Sequence, residues 1–297
     1  MKKKEITVSV CTITYKHAEF IKETIDGVLM QEVDFPIEFI IADDNSPDNT
    51  EEIVRDYIQN HPKGGLIKYT KHSTNKGMMG NFIWALEQCK GKYIALCDGD
   101  DYWTDPKKLE KQVSVLEENE NLAICSHRIK VLSDDDTRAF NSRRLTGEIE
   151  LENELFNHPL HTCSVVFRNK IEHILPKLTN KKLLSGDRLL LSQLMLFNNA
   201  YVLEDSMAVH IRHQGGISQS KTNRDLINFS YNEIVIFSSV YNAIPKSGLK
   251  YKIKEKLASL YFGLFYKKMK KLQPDFLMYL FRANKYVFGY PLRKNIK

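Results

Sequence analysis

Residues 93–103 read Tyr-Ile-Ala-Leu-Cys-Asp-Gly-Asp-Asp-Tyr-Trp, an apolar strand pattern that runs straight into three carboxylates. Tyr93–Cys97 has the composition of a buried strand, and Asp98-Gly99-Asp100-Asp101 closes it as a tight turn. Several carboxylates on one turn repel each other, and sharing a cation lowers that cost. A hard divalent ion needs only one or two protein carboxylates when phosphates complete its shell. Asp-Gly is also common in hairpin turns, so the letters D-x-D alone carry little weight. The buried strand before the turn and Tyr102-Trp103 after it give the motif its value.

Outward from this turn, the first 125 residues alternate strand and helix signals. Ile6–Ile13 reads as a strand, and Phe20–Gln31 as a helix with Ile21, Ile25, Val28 and Leu29 on one face. Ile37–Ala42 is a short buried strand followed by the acidic turn Asp43-Asp44-Asn45-Ser46-Pro47. A helix from Asn49 to Gln59 follows, with Asp48 as its expected cap and Glu51 three residues on. Leu66–Thr70, Gly77–Cys89 and Pro106–Asn119 continue the alternation as strand, helix and helix, and Leu122–Leu132 contains another strand. Such a chain builds an α/β fold with a mostly parallel central sheet flanked by helices. Ligands on these sheets bind beyond the carboxyl ends of the strands, so the acidic turns at 43–44 and 98–101 are expected to open onto one cleft.

From Ser133 to His158 the pattern weakens, and Asp134-Asp135-Asp136 with Arg143-Arg144 reads as an exposed connection. Thr162–Arg168, Tyr201–Leu203 and Met207–Ile211 are read as strands, and Arg188–Phe197 as a Leu-rich helix. From Arg224 onward the pattern is a helical tail interrupted at Pro245, Pro274 and Pro291. The net charge of +6 is uneven: from Lys246 on there are 14 Lys/Arg against Glu255 and Asp275, so the tail carries +12 and the rest −6. An acidic body with a basic tail argues against a nucleic-acid surface spread over the fold. Leu257, Leu260, Tyr261, Leu264 and Phe265 form an apolar helical stripe among lysines. It is read either as packing, including homo-oligomer contacts, or as contact with an anionic membrane surface. The five cysteines are odd in number and lack a CxxC, which fits buried thiols in a reducing compartment. With no signal-peptide core or membrane-spanning run in the sequence, the expected location is cytoplasmic, with a peripheral position on the inner face of the cell membrane as an extension.

Other residues carry candidate chemistry. Asp44 at a strand end can accept the imide N–H of a pyrimidine. Tyr15, just past the first strand, either stacks on a base or simply packs. Asp187, in Ser185-Gly186-Asp187-Arg188, is either a helix cap or a general base. His210 and His213 fall on opposite faces if their segment is a strand, so they do not share a metal, and His213 is the one expected to reach the cleft. His158 and His161 read as a polar loop. No Walker loop, GxGxxG, HExxH or Ser/His/Asp arrangement is present.

The ordered set Val8-Ser-Val-Cys-Thr-Ile-Thr-Tyr15, Ile41-Ala-Asp-Asp-Asn-Ser-Pro-Asp-Asn-Thr50, Asn75-Lys-Gly77 and Ala95-Leu-Cys-Asp-Gly-Asp-Asp101 resembles the family 2 inverting glycosyltransferases. The resemblance is close over residues 5–125 and looser over 160–218. It implies the glycosyltransferase A fold, which is nucleotide-diphospho-sugar transferase-like. It implies that Asp44 holds the pyrimidine, that Tyr15 stacks on it, and that Asn75 and Gly77 form a nucleotide-side loop. It implies Asp100 as the metal-binding acid, Asp98 as its partner near ribose and metal, and His213 as a ligand of metal or diphosphate. It implies Asp187 as the catalytic base, and Asp101 and Trp103 are assigned to the acceptor side. Ile13 departs from the family, where many relatives have Pro.

The resulting expectation is a catalytic domain over residues 1–222, with nucleotide binding over 1–125 and acceptor binding and catalysis over 126–222, and a basic helical extension over 223–297. The reaction expected is transfer from a nucleotide-sugar donor, a UDP-sugar, to a saccharide or lipid-linked acceptor in bacterial surface polysaccharide or glycolipid synthesis, with Mn2+ or Mg2+. A sugar-nucleotide nucleotidyltransferase would want a Gly-rich basic loop near the first strand, where Thr12–Phe20 supplies only Lys16. An inactive nucleotide-sugar-binding module sits poorly with Asp98, Asp100 and Asp187 all present.

Overall fold

The computed structural model describes residues 5–133, 136–141, 145–213, 223–270, 273 and 275–288. Asp134, Asp135, Arg143, Arg144, Pro274 and Pro291 of the sequence reading lie outside them. The elements in chain order are β1 (Val8–Thr14), α1 (Ile21–Leu29), β2 (Ile37–Asp43), α2 (Thr50–Asn60), β3 (Ile67–Lys71), α3 (Gly77–Gln88), β4 (Tyr93–Leu96) and β5 (Tyr102–Trp103). Then follow α4 (Lys108–Glu118), β6 (Leu122–Ser133), β7 (Asp136–Asn141), β8 (Gly147–Ile149), α5 (Leu151–Asn157), β9 (Val166–Arg168) and α6 (Leu175–Leu178). The last are α7 (Gly186–Leu194), β10 (Asn199–Arg212), α8 (Asn223–Ala243), α9 (Gly248–Lys270) and α10 (Phe276–Phe288).

The sheet runs β3-β2-β1-β4-β9-β6-β10-β5, with β7 on β6 and β8 on β10. Its long pairings, β1 with β2 and β4, β2 with β3, and β6 with β10, are parallel, while the short β9 lies antiparallel between β4 and β6. β1 is central, and six of its seven residues are buried. That is why Val8–Thr14 reads as a continuous run rather than an alternating one. α1 closes one face with Ile21, Ile25 and Val28 fully buried. Its Gly27 is required by a close approach, since a Cβ there would lie 2.8 Å from the Trp103 backbone N and O.

Two compact units emerge. The first comprises 1–179 and 197–219, and the second 180–196 and 220–297. The segment 180–196, expected within the catalytic domain, thus groups with the C-terminal helices. The reason is local. α7 buries Leu189, Leu190 and Leu191, Asn232 Oδ1 accepts from the N–H groups of Leu184 and Ser185, and Arg188 pairs with Glu233 of α8. In the second unit Leu257, Tyr261 and Leu264 of the tail stripe are buried and Leu260 and Phe265 half-buried, so most of that stripe packs inside the unit. No helix among the described residues is long and apolar enough to cross a membrane.

Two local readings are corrected. The box expected at α2 does not form: Asn49 holds the N-cap position, and Glu51 pairs with Arg55 and Lys71 instead. Asp48 still accepts from Thr50. The strands read at 201–203 and 207–211 are one strand, β10, with register shifts between Leu203 and Ala208.

Lys108 is fully buried beneath the sheet, its Nζ 3.9 Å from the Trp103 ring centroid and 2.8 Å from Gln112 Oε1. Burial draws its ammonium down to about 7. Below that pH both folded and unfolded chains hold the proton. Between about 7 and about 10.4 only the unfolded chain does, so Lys108 makes stability rise with pH across this window. Urea unfolding at several pH values should show Lys108→Met losing this component of the slope. Burial holds the folded thiols of Cys11, Cys97, Cys125 and Cys163 above this window, so the difference between the proteins reports Lys108. Parallel pH profiles would count against a depressed lysine.

Candidate functional site

β2 and β4 flank β1, and all three end at the same sheet edge. The loops beyond them are tied together: Asp44 N donates to Thr14 O at 2.9 Å, and Gly99 N donates to Ile13 O at 3.0 Å. Lys16 N donates to Ser46 Oγ and Ala18 N to Asp48 Oδ2. The two acidic turns therefore stand on either side of the end of β1, as the strand order requires.

On the β2 side, Asp43 and Asp44 divide their work. Asp43 is structural, accepting from Ser46 N at 2.7 Å and from the Tyr69 hydroxyl at 2.7 Å. Asp44 Oδ1 accepts from Lys76 N at 2.6 Å, and Asn75 Nδ2 donates to the Asp44 carbonyl. Asn75 Oδ1 in turn accepts from Gly77 N, where φ is +75°. Asp44, Asn75 and Gly77 are thus brought into one loop contact. Tyr15 is 40% exposed at the end of β1.

On the β4 side the turn is pinned from several directions. Thr12 Oγ1 donates to Cys97 O at 2.6 Å, and Thr24 Oγ1 donates to Asp101 O at 2.7 Å. Asp101 is turned inward and buried, with its Oδ1 2.9 Å from His210 Nδ1 and accepting from Ile211 N at 3.0 Å. Burial works against a charge on His210, but the Asp101 carboxylate outweighs it and raises the imidazole above its usual range. Trp103 is also buried, with its Nε1 donating to Cys163 O. Asp101 and Trp103, assigned to the acceptor side from sequence, are both buried and hydrogen-bonded within the fold.

Asp98 and Asp100 are half-buried at the surface of the turn. His213 Nε2 lies 3.0 Å from Asp100 Oδ2, and His17 Nε2 lies 3.9 Å from the same oxygen. Burial lowers the His17 imidazole, against the pull of Asp100. Two overlapping donor sets result: Asp98, Asp100 and Asp101, and His17, Asp100 and His213, each with ligand atoms within 4.8 Å of one another. Carboxylate and imidazole donors gathered this closely suit a divalent ion, so the donor chemistry fits one. His210, engaged with Asp101, is separate from His213, and its ring lies 5.7 Å from that of His161. Sequence reasoning misses His17. The available signal was its place three residues past a buried strand, beside Tyr15.

Asp187 lies in the second unit, within the first turn of α7. Ser185 holds the N-cap position, so Asp187 is not the cap.

A family model described as glycosyl transferase family 2 matches residues 9–175. An uncharacterized protein of Mycobacterium bovis is 33% identical over 216 residues, which is 72% of this chain and 61% of that protein. The chain thus spans about 61% of that relative's length. The UDP-Glc:alpha-D-GlcNAc-diphosphoundecaprenol beta-1,3-glucosyltransferase of Escherichia coli is 36% identical over 110 residues, 37% of this chain and 41% of that one. Among solved structures, S. aureus TarS 1–349 in complex with UDP-GlcNAc aligns with a TM-score of 0.72 at 21% identity, covering 95% of this chain and 82% of that chain. The sheet order, the acids at its edge and the family match over residues 9–175 agree: this chain belongs to glycosyl transferase family 2, with the glycosyltransferase A fold.

Proposed function

We propose that the chain transfers a sugar from a UDP-sugar to an acceptor hydroxyl, with inversion at the anomeric carbon. The observation that carries the reading is the shared sheet edge, where Asp44 and the Asp98–Asp101 turn flank the end of β1. In this reading Asp44 accepts the uracil imide N–H, Tyr15 stacks on the ring, and Asn75 and Gly77 shape the nucleotide side. Asp100, with Asp98 and His213, holds a divalent ion, Mn2+ or Mg2+. An ion held there would supply positive charge against a departing diphosphate. The E. coli relative is named for a UDP-Glc donor and a diphosphoundecaprenol-linked acceptor, and the TarS structure holds UDP-GlcNAc. Both support a UDP donor here, and the E. coli relative supports a lipid-linked acceptor.

Asp187 is the base that takes the acceptor's proton as its oxygen attacks. Its place at the start of α7, where the family resemblance puts a catalytic base, supports this. Attack and departure on opposite faces of the sugar produce inversion. Asp187→Asn should retain donor affinity and lose transfer by at least about 10²-fold, the usual contribution of a positioned base. Transfer within a fewfold of wild type would send the search for the base elsewhere. Asp100→Asn should cost transfer by about 10²-fold or more and remove metal-dependent UDP binding, measured calorimetrically with and without EDTA. Full turnover of the wild type in EDTA would overturn the metal assignment.

The second unit supports contact with an anionic membrane, which would confine the enzyme near a lipid-linked acceptor. The contact face is not the buried stripe. Tyr251, Phe262, Tyr266 and Met269 are exposed on one side of α9, with Lys252 and Lys270 exposed beside them. Leu277, Met278 and Phe281 are exposed on α10. The full chain should sediment with anionic vesicles at low salt and be released at high salt. The double variant Phe262→Ser, Tyr266→Ser should stay in the supernatant. Concentration-dependent self-association that the same variant abolishes, without vesicle binding, would assign the face to an oligomer instead.

A further inference from the structure

The backbone around His17 is fixed on both sides. Lys16 takes φ +61°, a left-handed conformation that a lysine seldom adopts, with its N–H held by Ser46 Oγ at 3.0 Å. Ala18 N donates to Asp48 Oδ2 at 3.1 Å, and the His17 carbonyl accepts from Phe20 N and Ile21 N to open α1. This bend directs the His17 ring at the Asp98–Asp101 turn. The side chain is only 17% exposed, and its Nδ1 is buried with no hydrogen-bond partner. Its Nε2 lies 3.9 Å from Asp100 Oδ2, beyond hydrogen-bond range. A ring so enclosed and so poorly satisfied is unusual in a framework role.

We propose that His17 is a further protein ligand of the divalent ion, joining Asp100, His213 and Asp98. This rests on the reading of Asp100 as the metal-holding acid. Two ligand atoms about 2.1 Å from one ion lie at most about 4.2 Å apart. The distances from Asp100 Oδ2, 3.0 Å to His213 Nε2 and 3.9 Å to His17 Nε2, both satisfy that limit. One donor atom from each of the three residues lies within 4.8 Å of the other two. The two imidazole rings stand perpendicular with centroids 6.1 Å apart, and Phe20 packs on both, at 6.3 Å from His17 and 4.8 Å from His213. The loop after β1 thereby joins the loop after β4 and the end of β10 at a single point. Two imidazoles beside the carboxylates make a softer site than carboxylates alone, so the set favours Mn2+ over Mg2+ and binds the probe ion Co2+ more tightly still.

The test is titration of the full chain, without nucleotide, with Co2+ alone and with Mg2+ alone. Calorimetry gives the affinities, and the visible Co2+ band reports the ligand field. Wild type should bind Co2+ at least about tenfold more tightly than Mg2+. His17→Gln and His17→Asn should each lose about tenfold or more in Co2+ affinity and alter the band, with little change for Mg2+ and an unchanged metal-free melting temperature. If both variants keep wild-type Co2+ affinity and band while Asp100→Asn loses them, His17 is not a ligand and the metal reading stands. If Asp100→Asn also binds as wild type does, the metal reading itself fails. Absence of Co2+ binding by the wild type, or equal affinity for the two ions, overturns the proposal as well.

Discussion

The burial of the Asp101 carboxylate governs the arrangement of this site. Three acids fall within four residues, and in water they would push the turn open. Here one of them is turned into the fold, where the Ile211 N–H and the His210 ring take its two short contacts. Solvent lost by a buried carboxylate is costly unless charge and hydrogen bonds replace it, and both are supplied by β10. The pairing of β5 with β10, at Trp103 with Ala208, continues the same attachment. Asp98 and Asp100 are left at the surface of the turn, and His213, two residues beyond Ile211, arrives against Asp100.

A second constraint explains the residue between the two outer acids. Gly99 is not needed for its conformational range, since its φ is not in the left-handed region. It is needed for space: a Cβ would stand 2.8 Å from Thr14 Oγ1 and 2.9 Å from His17 Nδ1. The turn can lie along the end of β1 only because nothing projects there. Lys16 and Asn45, both with positive φ, bend the two neighbouring loops around the same spot. Such conformations cost about 1–3 kcal/mol each and persist where neighbours over-determine them. Ser46 and Asp48 provide that restraint by reaching from the loop after β2 to the loop after β1.

The first half of the chain was legible because its elements are short, regular and buried on predictable faces. Ile21, Ile25, Val28 and Leu29 form the buried face of α1, and the carboxyl ends of β2 and β4 carry the acids. The second half was less so. β10 carries two register shifts around Ser206, and a bulge breaks the period of two that identifies a strand. Thr162–Ser164, read as the start of a strand, is a 3-10 turn before the short β9. Periodicity also cannot tell which partner an apolar helix chooses, and the Leu-rich α7 groups with the C-terminal helices. At the site, Trp103 beside the acids suggested a contact surface, yet its indole is committed to Cys163 and Lys108 inside the fold. An aromatic after an acidic turn looks the same in sequence whether it faces solvent or core.

The histidines show how one turn can sort chemically identical side chains. His210 meets a buried carboxylate at 2.9 Å, and the pairing outweighs its loss of solvent, so its proton is held more firmly than in water. His17 stands 3.9 Å from a half-exposed carboxylate, and there the loss of solvent prevails and the neutral ring is favoured. The opposite outcomes follow from about 1 Å of separation and from the depth of the partner acid, not from the histidines' own burial, which is similar. Asp100 lies within the tight turn that the Asp101 N–H closes on the Asp98 carbonyl and stays half-exposed, while Asp101 follows the turn and is buried. His210 and His213, three apart at the end of β10, fall on opposite faces and meet those acids one to one. The tight turn and the attachment of its end to β10 thus separate an inner pair that fastens the turn from an outer pair at its surface.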